Sequence, residues 1–429
     1  MEIKELAKNA KKAAIQLSGL RSDDKDKGLL AIAKALEEDR ELILRANEED
    51  MAQAEGESLA APLLKRLRFD ERKLDDVIEG IKSLLELPDP VGKTLLSTEL
   101  DKGLELYRIS CPIGVIGIIF ESRPDALVQI STLCLKSGNG VLLKGGREAA
   151  RTNKALYNAI VKGSLKAGLP SGWIVLMENR EDVNAMLKMD GYVDLIIPRG
   201  SNAFVQYIMD NSRIPVMGHA DGICHCYVDK AADLTKAVAI VTDSKTQYVA
   251  VCNALETLLV HEEAAKAFLP LLKTALDEKQ VLLKGCDKTR TIIDCKPAEE
   301  EDWKTEYLDY ILSIKVVSSL EEAVEHVNTY GSGHTDAIVS EDASAVDYFL
   351  SYVDSGNVFA NCSTRFSDGF KYGFGAEVGI STNKLHARGP VGLDGLVTYK
   401  YKLFGNGHIV ADYSEKRKHF THKTIERSH

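Results

Sequence analysis

The sequence of 429 residues has no hydrophobic run long enough to cross a membrane. Its longest apolar stretch, Pro112 to Phe120, is about half of the roughly 18 to 20 residues that a transmembrane helix needs. The N-terminus, from Met1 to Leu17, carries a charged residue every two to four positions and has no continuous apolar segment, so we do not expect a signal peptide. Internal repeats and low-complexity tracts are also missing. These absences predict a globular cytoplasmic protein that is not associated with a membrane.

The chain also lacks an excess of positive charge. Its 64 acidic side chains outnumber its 54 basic ones, giving a formal net charge of -10. A basic cluster at Lys416 to Lys418 is short and has acidic neighbours, so we expect no nucleic-acid partner. The tail from Ser414 to His429 is polar and charged, and we predict that it is mobile.

The eight cysteines show neither a disulfide framework nor a zinc pattern. Spread over a long chain without a secretory signal, they are typical of reduced thiols in a cytosolic protein. Cys224-His225-Cys226 is the one cluster with metal-binding residue types, but its spacing is not C-x2-C and no second pair matches it. We therefore expect no metal site.

The chain does contain an α/β pattern. Its length of 429 residues predicts two domains. Helical periodicity covers residues 3 to 90. From Cys111 onward, continuous apolar strands alternate with helices up to a last short strand at Ile214 to Val216, which predicts a parallel, Rossmann-like sheet covered on both faces. A second α/β unit is predicted after Asp229. The Gly-rich, polar segment from Asn357 to Pro390 predicts loops around a site.

Two further strand-like segments predict a hairpin arm. Thr94 to Leu100 and Leu104 to Ser110 are joined at Asp101-Lys102-Gly103, a sequence typical of hairpin turns. Strand character returns from Gly395 to Val410, and this segment can pair with the hairpin. Such an arm is a plausible oligomerisation element.

Cys252 is the candidate nucleophile. A helix-patterned segment from Leu234 to Ile240 is followed by a polar break at Thr242 to Gln247, and the cysteine then precedes a strand-like run. A thiol on such a connection is accessible to a substrate, and a thioester stays electrophilic enough to accept a hydride. A buried core position is the alternative, because free cysteine is among the most buried residue types.

Two strand ends run into glycine-containing turns and helices. These turns are Leu142 to Glu148 and Ile196 to Asn202. Parallel sheets bind ligands at such strand ends, where glycine lets the backbone approach a pyrophosphate. Neither turn has the G-x-G-x-x-G fingerprint, so two ordinary strand-to-helix turns remain the alternative.

Seven motifs in order resemble the gamma-glutamyl phosphate reductases, a family of the aldehyde dehydrogenase superfamily, and cover nearly the whole chain. They are Phe120-Glu121-Ser122-Arg123-Pro124, Leu143-Lys144-Gly145-Gly146, Pro198-Arg199-Gly200-Ser201, Gly218-His219-Ala220-Asp221-Gly222-Ile223-Cys224-His225, Val251-Cys252-Asn253-Ala254-Leu255-Glu256-Thr257, Ser363-Thr364-Arg365-Phe366-Ser367-Asp368-Gly369 and His386-Ala387-Arg388-Gly389-Pro390-Val391-Gly392-Leu393.

The resemblance implies NADPH-dependent reduction of L-glutamyl 5-phosphate to L-glutamate 5-semialdehyde with release of phosphate, the second step of proline biosynthesis from glutamate. Cys252 matches the family nucleophile. Its thiolate would attack the acyl phosphate, and hydride would reduce the resulting thioester. The resemblance also implies a homo-oligomer, and glutamate 5-kinase, which supplies the labile substrate, is a candidate partner.

The implied fold is aldehyde-dehydrogenase-like, with a Rossmann-like cofactor domain, an α/β catalytic domain and the β-hairpin arm. The predicted division is an NADP-binding domain at 1–93 and 112–220, a catalytic domain at 221–385, an oligomerisation arm at 94–111 and 395–411, and a tail at 412–429.

For the cofactor, Lys144 matches the superfamily lysine that contacts the adenosine ribose, and Gly145 follows it. Arg147 stands where NAD-preferring relatives tend to have an acid, so NADP is favoured, because a cation accepts a 2'-phosphate that a carboxylate repels. Gly200 and Ser201 would lie at the pyrophosphate. A sixth residue, Glu306, aligns with the glutamate that holds the nicotinamide ribose, with a solvated glutamate as the alternative.

For the substrate, the resemblance points to Ser122, Arg123, His219, Arg365 and Arg388. Ser122 aligns with the oxyanion-binding asparagine of hydrolytic relatives, and His219 with their water-activating glutamate, which a reductase does not need. A structural histidine is the alternative for His219. The three arginines could bind carboxylate or phosphate, or could instead brace loops by ion pairs, for example with Asp368 or Glu377.

Two rival functions remain at this point. A hydrolytic or acylating aldehyde dehydrogenase would turn over without phosphate. A non-catalytic nucleotide or metal-binding protein would lose no function in Cys252→Ala.

Overall fold

In the computed structural model, residues 3–178, 181–218 and 221–425 are described. The chain divides into two compact units. The first comprises Met1–Gly200, Ile208–Val216 and Gly392–His429, and the second comprises Ser201–Tyr207 and Met217–Val391.

The helices of the described residues, in chain order, are α1 Ile3–Leu17, α2 Ser22–Glu38, α3 Arg40–Gly56, α4 Ala61–Leu67, α5 Glu71–Glu86, α6 Pro124–Lys136, α7 Ala150–Lys166, α8 Glu181–Met186, α9 Asn202–Asn211, α10 Leu234–Thr246, α11 Glu262–Asp277, α12 Asp287–Arg290, α13 Leu320–Tyr330, α14 Ala343–Tyr352 and α15 Val410–Ser414. The strands are β1 Thr94–Asp101, β2 Leu104–Pro112, β3 Val115–Phe120, β4 Gly140–Lys144, β5 Ile174–Leu176, β6 Leu195–Arg199, β7 Cys224–Val228, β8 Leu255–His261, β9 Leu282–Gly285, β10 Lys296–Pro297, β11 Ile311–Val317, β12 Thr335–Val339, β13 Asn357–Ala360, β14 Gly379–Ser381, β15 Gly389–Val391, β16 Val397–Phe404 and β17 Lys423–Thr424. No helix in these described parts is both long and apolar enough to cross a bilayer.

The first unit is built on a parallel sheet with the strand order β5-β4-β3-β6. Every residue of β3 is buried, as expected for an apolar strand covered on both faces. Helix α1 lies within the region where helical periodicity was predicted, and it buries Ala10, Ala14 and Leu17 on one face. The predicted last strand at 214–216 reduces to a single parallel bridge between Ile196 and Val216.

The predicted hairpin is confirmed, and β16 pairs with it. Strands β1 and β2 are antiparallel, and β16 pairs with β2 from Val397 opposite Pro112 to Phe404 opposite Glu105. The prediction that the tail is mobile is wrong for β17, which pairs with β1 through two residues. A polar segment can therefore gain order from backbone hydrogen bonds at a strand edge.

The second unit contains a seven-stranded parallel sheet with the strand order β10-β9-β11-β8-β7-β12-β13. Strand β8 lies at the middle of this sheet and is buried throughout. Strand β7 was not predicted, because its Cys-His-Cys run lacks the continuous apolar pattern of a buried strand. All five residues of β7 are buried, which places that cluster in the core.

Candidate active site

Cys252 lies in a turn between α10 and β8, so its predicted place on a connection is confirmed. Helix α10 runs on through the expected polar break and ends at Thr246. The thiol is partly buried. The backbone of Gly222 packs against the turn so closely that an added Cβ would stand 2.3 Å from the Cys252 Cα and 2.5 Å from its Cβ. Only glycine fits at position 222 without moving the cysteine.

Two hydrogen bonds fasten the segment Ser363 to Ser367 to the Cys252 turn. Thr364 Oγ1 donates to the carbonyl oxygen of Asn253 at 2.8 Å, and Asn253 Nδ2 donates to the carbonyl oxygen of Ser367 at 2.8 Å. Thr364, Asn253 and Ser367 are all buried. The predicted site loop is therefore held against the residue that follows the thiol, with Arg365 in the middle of the fastened segment.

Arg365 is the cation that is coupled electrostatically to the thiol. Its Nε donates to Gln247 Oε1 at 2.9 Å, and the ion pairs of the described residues do not include it. Burial lowers the pKa of Arg365, and a negative charge on Cys252 is the strongest of the influences that raise it. Since this interaction is mutual, the guanidinium favours the thiolate form of Cys252.

The other two candidate arginines are engaged by carboxylates. In the second unit, Arg388 Nη1 bonds Asp354 Oδ1 at 3.0 Å, and its Nη2 donates to the Asp354 carbonyl at 2.9 Å. Its Nε donates to the carbonyl of Thr382 at 3.2 Å. In the first unit, Arg123 pairs with Asp125 at 3.2 Å. The loop-bracing alternative thus describes the geometry of Arg388, with Asp354 as partner, and its substrate role stays a prediction.

Ser122 is buried and has a positive φ of 43°, an unusual conformation for a residue with a side chain. Its backbone N-H and its Oγ both donate to Glu148 Oε1, at 2.7 and 2.6 Å. A Cβ at Gly146 would stand 2.0 Å from that same oxygen, so glycine makes room for the carboxylate. The Ser122 hydroxyl is therefore already committed to Glu148, and an oxyanion role for it stays a prediction.

Glu306 is partly buried, and its surroundings differ from those of a solvated glutamate. Asn202 Nδ2 donates to Glu306 Oε2 at 2.8 Å and to Asp221 Oδ1 at 2.5 Å. Burial raises the pKa of Glu306, while the Asn202 amide and the Gly222 N-H oppose that rise. Asn202 was not predicted as a site residue from the sequence. His219 lies outside the described residues.

A cavity of about 670 Å³ in the first unit contains three of the other five cofactor candidates among its lining residues, and Gly200 and Ser201 are not among them. Lys144, Gly145 and Arg147 line it, and α3 and α7 add the cations Arg45, Arg151 and Lys154, which the sequence analysis missed. Its apolar lining includes Leu42, Ala46, Leu176 and Met177. An apolar wall beside a cationic rim suits an adenine ring with phosphorylated ribose.

The β4–α7 turn fits the approach of a nucleotide. A Cβ at Gly145 would stand 2.2 Å from Asn153 Nδ2, so any side chain at this position would displace the Asn153 amide. Asn153, which also lines the cavity, has a buried Oδ1 with no hydrogen-bond partner among the described residues. A ribose hydroxyl would satisfy that acceptor. The other predicted turn is also formed, with Gly200 directly after β6 and Ser201 directly before α9.

A family model described as the aldehyde dehydrogenase family matches residues 1–291 and 279–376. The two matches together span more than half of the chain, and the parallel sheets and the thiol-bearing turn agree with them. The chain therefore belongs to the aldehyde dehydrogenase family, whose members are oxidoreductases with a nicotinamide cofactor.

Curated relatives narrow this class. Gamma-glutamyl phosphate reductase of Pelotomaculum thermopropionicum is 65% identical over 429 residues, covering 100% of this chain and 99% of the relative. The same-named protein of Acetivibrio thermocellus is 66% identical over 427 residues, with coverage of 100% and 99%. The crystal structure of gamma-glutamyl phosphate reductase from Thermotoga maritima is 42% identical, with a TM-score of 0.93, covering 95% of this chain and 100% of that one. Within the larger family, the chain belongs to the gamma-glutamyl phosphate reductases, which confirms the predicted resemblance and fold.

Proposed function

We propose that this chain reduces L-glutamyl 5-phosphate to L-glutamate 5-semialdehyde, with release of phosphate, through a thioester on Cys252 and with NADPH as the reductant. The single observation that carries the chemistry is the placement of Arg365, a half-buried cation on a segment hydrogen-bonded to the Cys252 turn, where a negative charge on Cys252 interacts with it. That arrangement combines a nucleophile with a binding group for an anionic acyl donor.

In the proposed reaction, the Cys252 sulfur forms a bond to the acyl carbon. The bond from that carbon to the phosphate oxygen breaks, and phosphate leaves with the electron pair. Arg365 stabilises the attacking thiolate and the anionic substrate, and we propose the Cys252 backbone N-H as a donor to the developing oxyanion. The chemistry that NADPH supplies when bound is hydride donation to the thioester carbon.

Hydrolysis by an activated water molecule would compete with reduction of the thioester. Glu256, four residues after Cys252, is fully buried and bound to Lys245 at 2.6 Å. A carboxylate held in this way is not available to deprotonate water. This supports reduction over hydrolysis as the fate of the thioester.

The NADP preference rests on the cavity of the first unit. Lys144 and Arg147 would hold the adenosine ribose and its 2'-phosphate, next to Gly145. Arg147 suits the phosphate because its side chain is 87% exposed and its one carboxylate neighbour among the described residues, Glu57, lies at 3.5 Å. Gly200 and Ser201 are proposed for the pyrophosphate, and Glu306 for the nicotinamide ribose.

We expect Arg147→Glu to lower kcat/KM for NADPH by about ten- to a hundredfold while leaving the value for NADH within about threefold, because one charge-assisted phosphate contact is lost. Steady-state kinetics with NADPH and with NADH measure the ratio of the two kcat/KM values in the wild type and the variant. Arg21→Glu is the matched control, since this first-unit arginine is 81% exposed and does not line the cavity. Equal losses for NADPH and NADH in Arg147→Glu would contradict the assignment.

The proposed function is tested by the reverse reaction, NADP-dependent oxidation of glutamate 5-semialdehyde, supplied as its cyclic pyrroline form, with and without phosphate. Phosphate is needed to cleave the thioester in this direction, so we expect at least about a hundredfold stimulation by phosphate. Phosphate-independent turnover would show that water cleaves the thioester and would favour a hydrolytic dehydrogenase. Failure to oxidise any aldehyde would favour a binding protein.

A homo-oligomer is proposed from the arm. Strand β16 exposes Tyr399, Tyr401, Leu403 and Phe404, and a face of this kind is typical of an oligomer interface. Light scattering in solution gives the mass that tests this proposal. The cytoplasmic location and the partnership with glutamate 5-kinase stay predictions.

A further inference from the structure

The buried ion pair between Lys245 and Glu256 forms no bond to the substrate or cofactor in the reaction proposed above. Lys245 Nζ donates to Glu256 Oε2 at 2.6 Å, and both side chains are fully buried. Burial lowers the pKa of Lys245 and raises the pKa of Glu256. Removing two ionic side chains from water adds little net stability, and the best-attested use of such a pair is to fix the register of the elements that carry it.

The two partners stand at the two ends of the Cys252 turn. Lys245 is in the last turn of α10, and Glu256 is the second residue of β8. The residues between the helix and the strand, Gln247 to Ala254, form the connection that carries the thiol. The ion pair therefore closes the base of this connection, and holds it at a defined width.

The second carboxylate oxygen reaches the loop that carries Glu306. Glu256 Oε1 accepts a hydrogen bond from the backbone N-H of Leu308 at 3.4 Å. Leu308 has a positive φ of 53°, so the loop turns sharply where it meets the carboxylate. Glu306 in turn accepts from the Gly222 N-H, and Gly222 packs against the backbone of Cys252. The Cys252 turn and the Glu306 loop are therefore linked twice, once through Glu256 and Leu308 and once through Gly222.

We propose that Lys245 and Glu256 are positioning residues, whose ion pair sets the Cys252 thiol in register with Arg365 and with the Glu306 loop. The inference rests on the proposed function for the identity of the substrate that the thiol meets. A displacement of the nucleophile by about 1 Å lowers the rate by about a hundredfold, so a change in the width of the connection is enough to affect turnover strongly.

The test is the double variant Lys245→Met with Glu256→Leu. Replacing both partners by apolar residues of similar size leaves no unpaired buried charge, so the chain is expected to fold. We expect kcat of the reverse reaction to fall by about tenfold or more with KM for the aldehyde within about twofold, because binding remains while alignment is lost. Alkylation of Cys252 by iodoacetamide at pH 7, followed by mass spectrometry, is expected to slow by about tenfold as the thiolate leaves the field of Arg365.

Two further variants keep the test decisive. Glu256→Gln retains the shape and an oxygen acceptor, so it is expected to fold and to show a smaller loss in the same direction. The pair Lys25→Met with Asp89→Leu is the matched control, since Lys25 is 1% exposed and bonded to Asp89 at 2.6 Å in the first unit, outside any assigned site. It is expected to change stability but neither kcat nor alkylation.

The inference would be overturned if the folded Lys245/Glu256 variants kept the wild-type alkylation rate and kcat. It would also be overturned if the control pair lost as much kcat and alkylation rate as they do. Alkylation needs no substrate. A wild-type enzyme without phosphate-dependent turnover would therefore overturn the proposed function, while the alkylation comparison still decides the positioning role.

Discussion

Cys252→Ala is expected to lower phosphate-dependent oxidation of glutamate 5-semialdehyde by at least about ten-thousandfold, because no acyl-enzyme forms without the sulfur. Cys252 lies in a partly exposed turn, and the half-buried Arg365 interacts with its negative charge. The variant is expected to fold, because the thiol makes a small contribution to packing in a partly buried turn. Circular dichroism and reverse-reaction kinetics measure both outcomes.

A control variant at a second cysteine distinguishes loss of the nucleophile from a general effect of removing a thiol. Cys295 is also partly buried, and burial raises the pKa of its thiol, which is the environment of an unreactive cysteine. Cys295→Ala is expected to keep full activity. Cys252→Ala is also expected to retain NADPH binding, because the proposed adenosine cavity is lined by first-unit residues alone. More than about one percent residual phosphate-dependent activity in Cys252→Ala would contradict the assigned nucleophile.

Arg365→Met is expected to lower kcat/KM by about a hundred- to a thousandfold, because one cation serves both the thiolate and the anionic substrate. A loss of that size corresponds to about 2.8 to 4.2 kcal/mol, which one to two charge-assisted contacts of about 1.5 to 3 kcal/mol each would supply. The pH midpoint of Cys252 alkylation should also rise. The sign follows because a nearby cation favours the thiolate, so removing the cation raises the pH at which the thiol ionises. Reverse-reaction kinetics and a pH series of alkylation rates measure the two effects.

Two further variants show whether the effect of Arg365→Met is due to its charge and its position. Arg365→Lys retains the charge but loses the hydrogen bond to Gln247, so it should recover the alkylation midpoint better than kcat/KM. Arg290→Met removes a partly exposed arginine of the same unit that pairs with Asp287 three residues away, and activity should not change. An unaltered alkylation midpoint in Arg365→Met would show that the arginine does not act on the thiol.

The second-unit sheet shows where prediction from the sequence failed. Apolar strands such as β3 and β8 were predictable, because a continuous hydrophobic run can lie only where both faces are covered. Strand β7 was missed, although it lies between β8 and β12, because Cys224, His225 and Cys226 do not form such a run. Their burial results from neighbours far away in the chain.

The arginines show the same limit at the site. Motif position made Arg123, Arg365 and Arg388 equivalent candidates. Asp354 lies 34 residues from Arg388 in the chain, and it engages that guanidinium in the folded structure. Which cations are already neutralised, and which are available to an anion, depends on such long-range contacts.

By itself, the sequence determined the family, the position of Cys252 on a connection, the hairpin and the glycine turns, because each is encoded by neighbouring residues whose types and spacing limit the local backbone. Only the tertiary structure decided that Arg365 is coupled to the thiol, that Arg45, Arg151 and Lys154 join the Lys144 cavity, and that Lys245 meets Glu256 across the nucleophile turn. Charge pairing, burial and cavity shape arise when distant segments pack together, and chain spacing alone does not specify them.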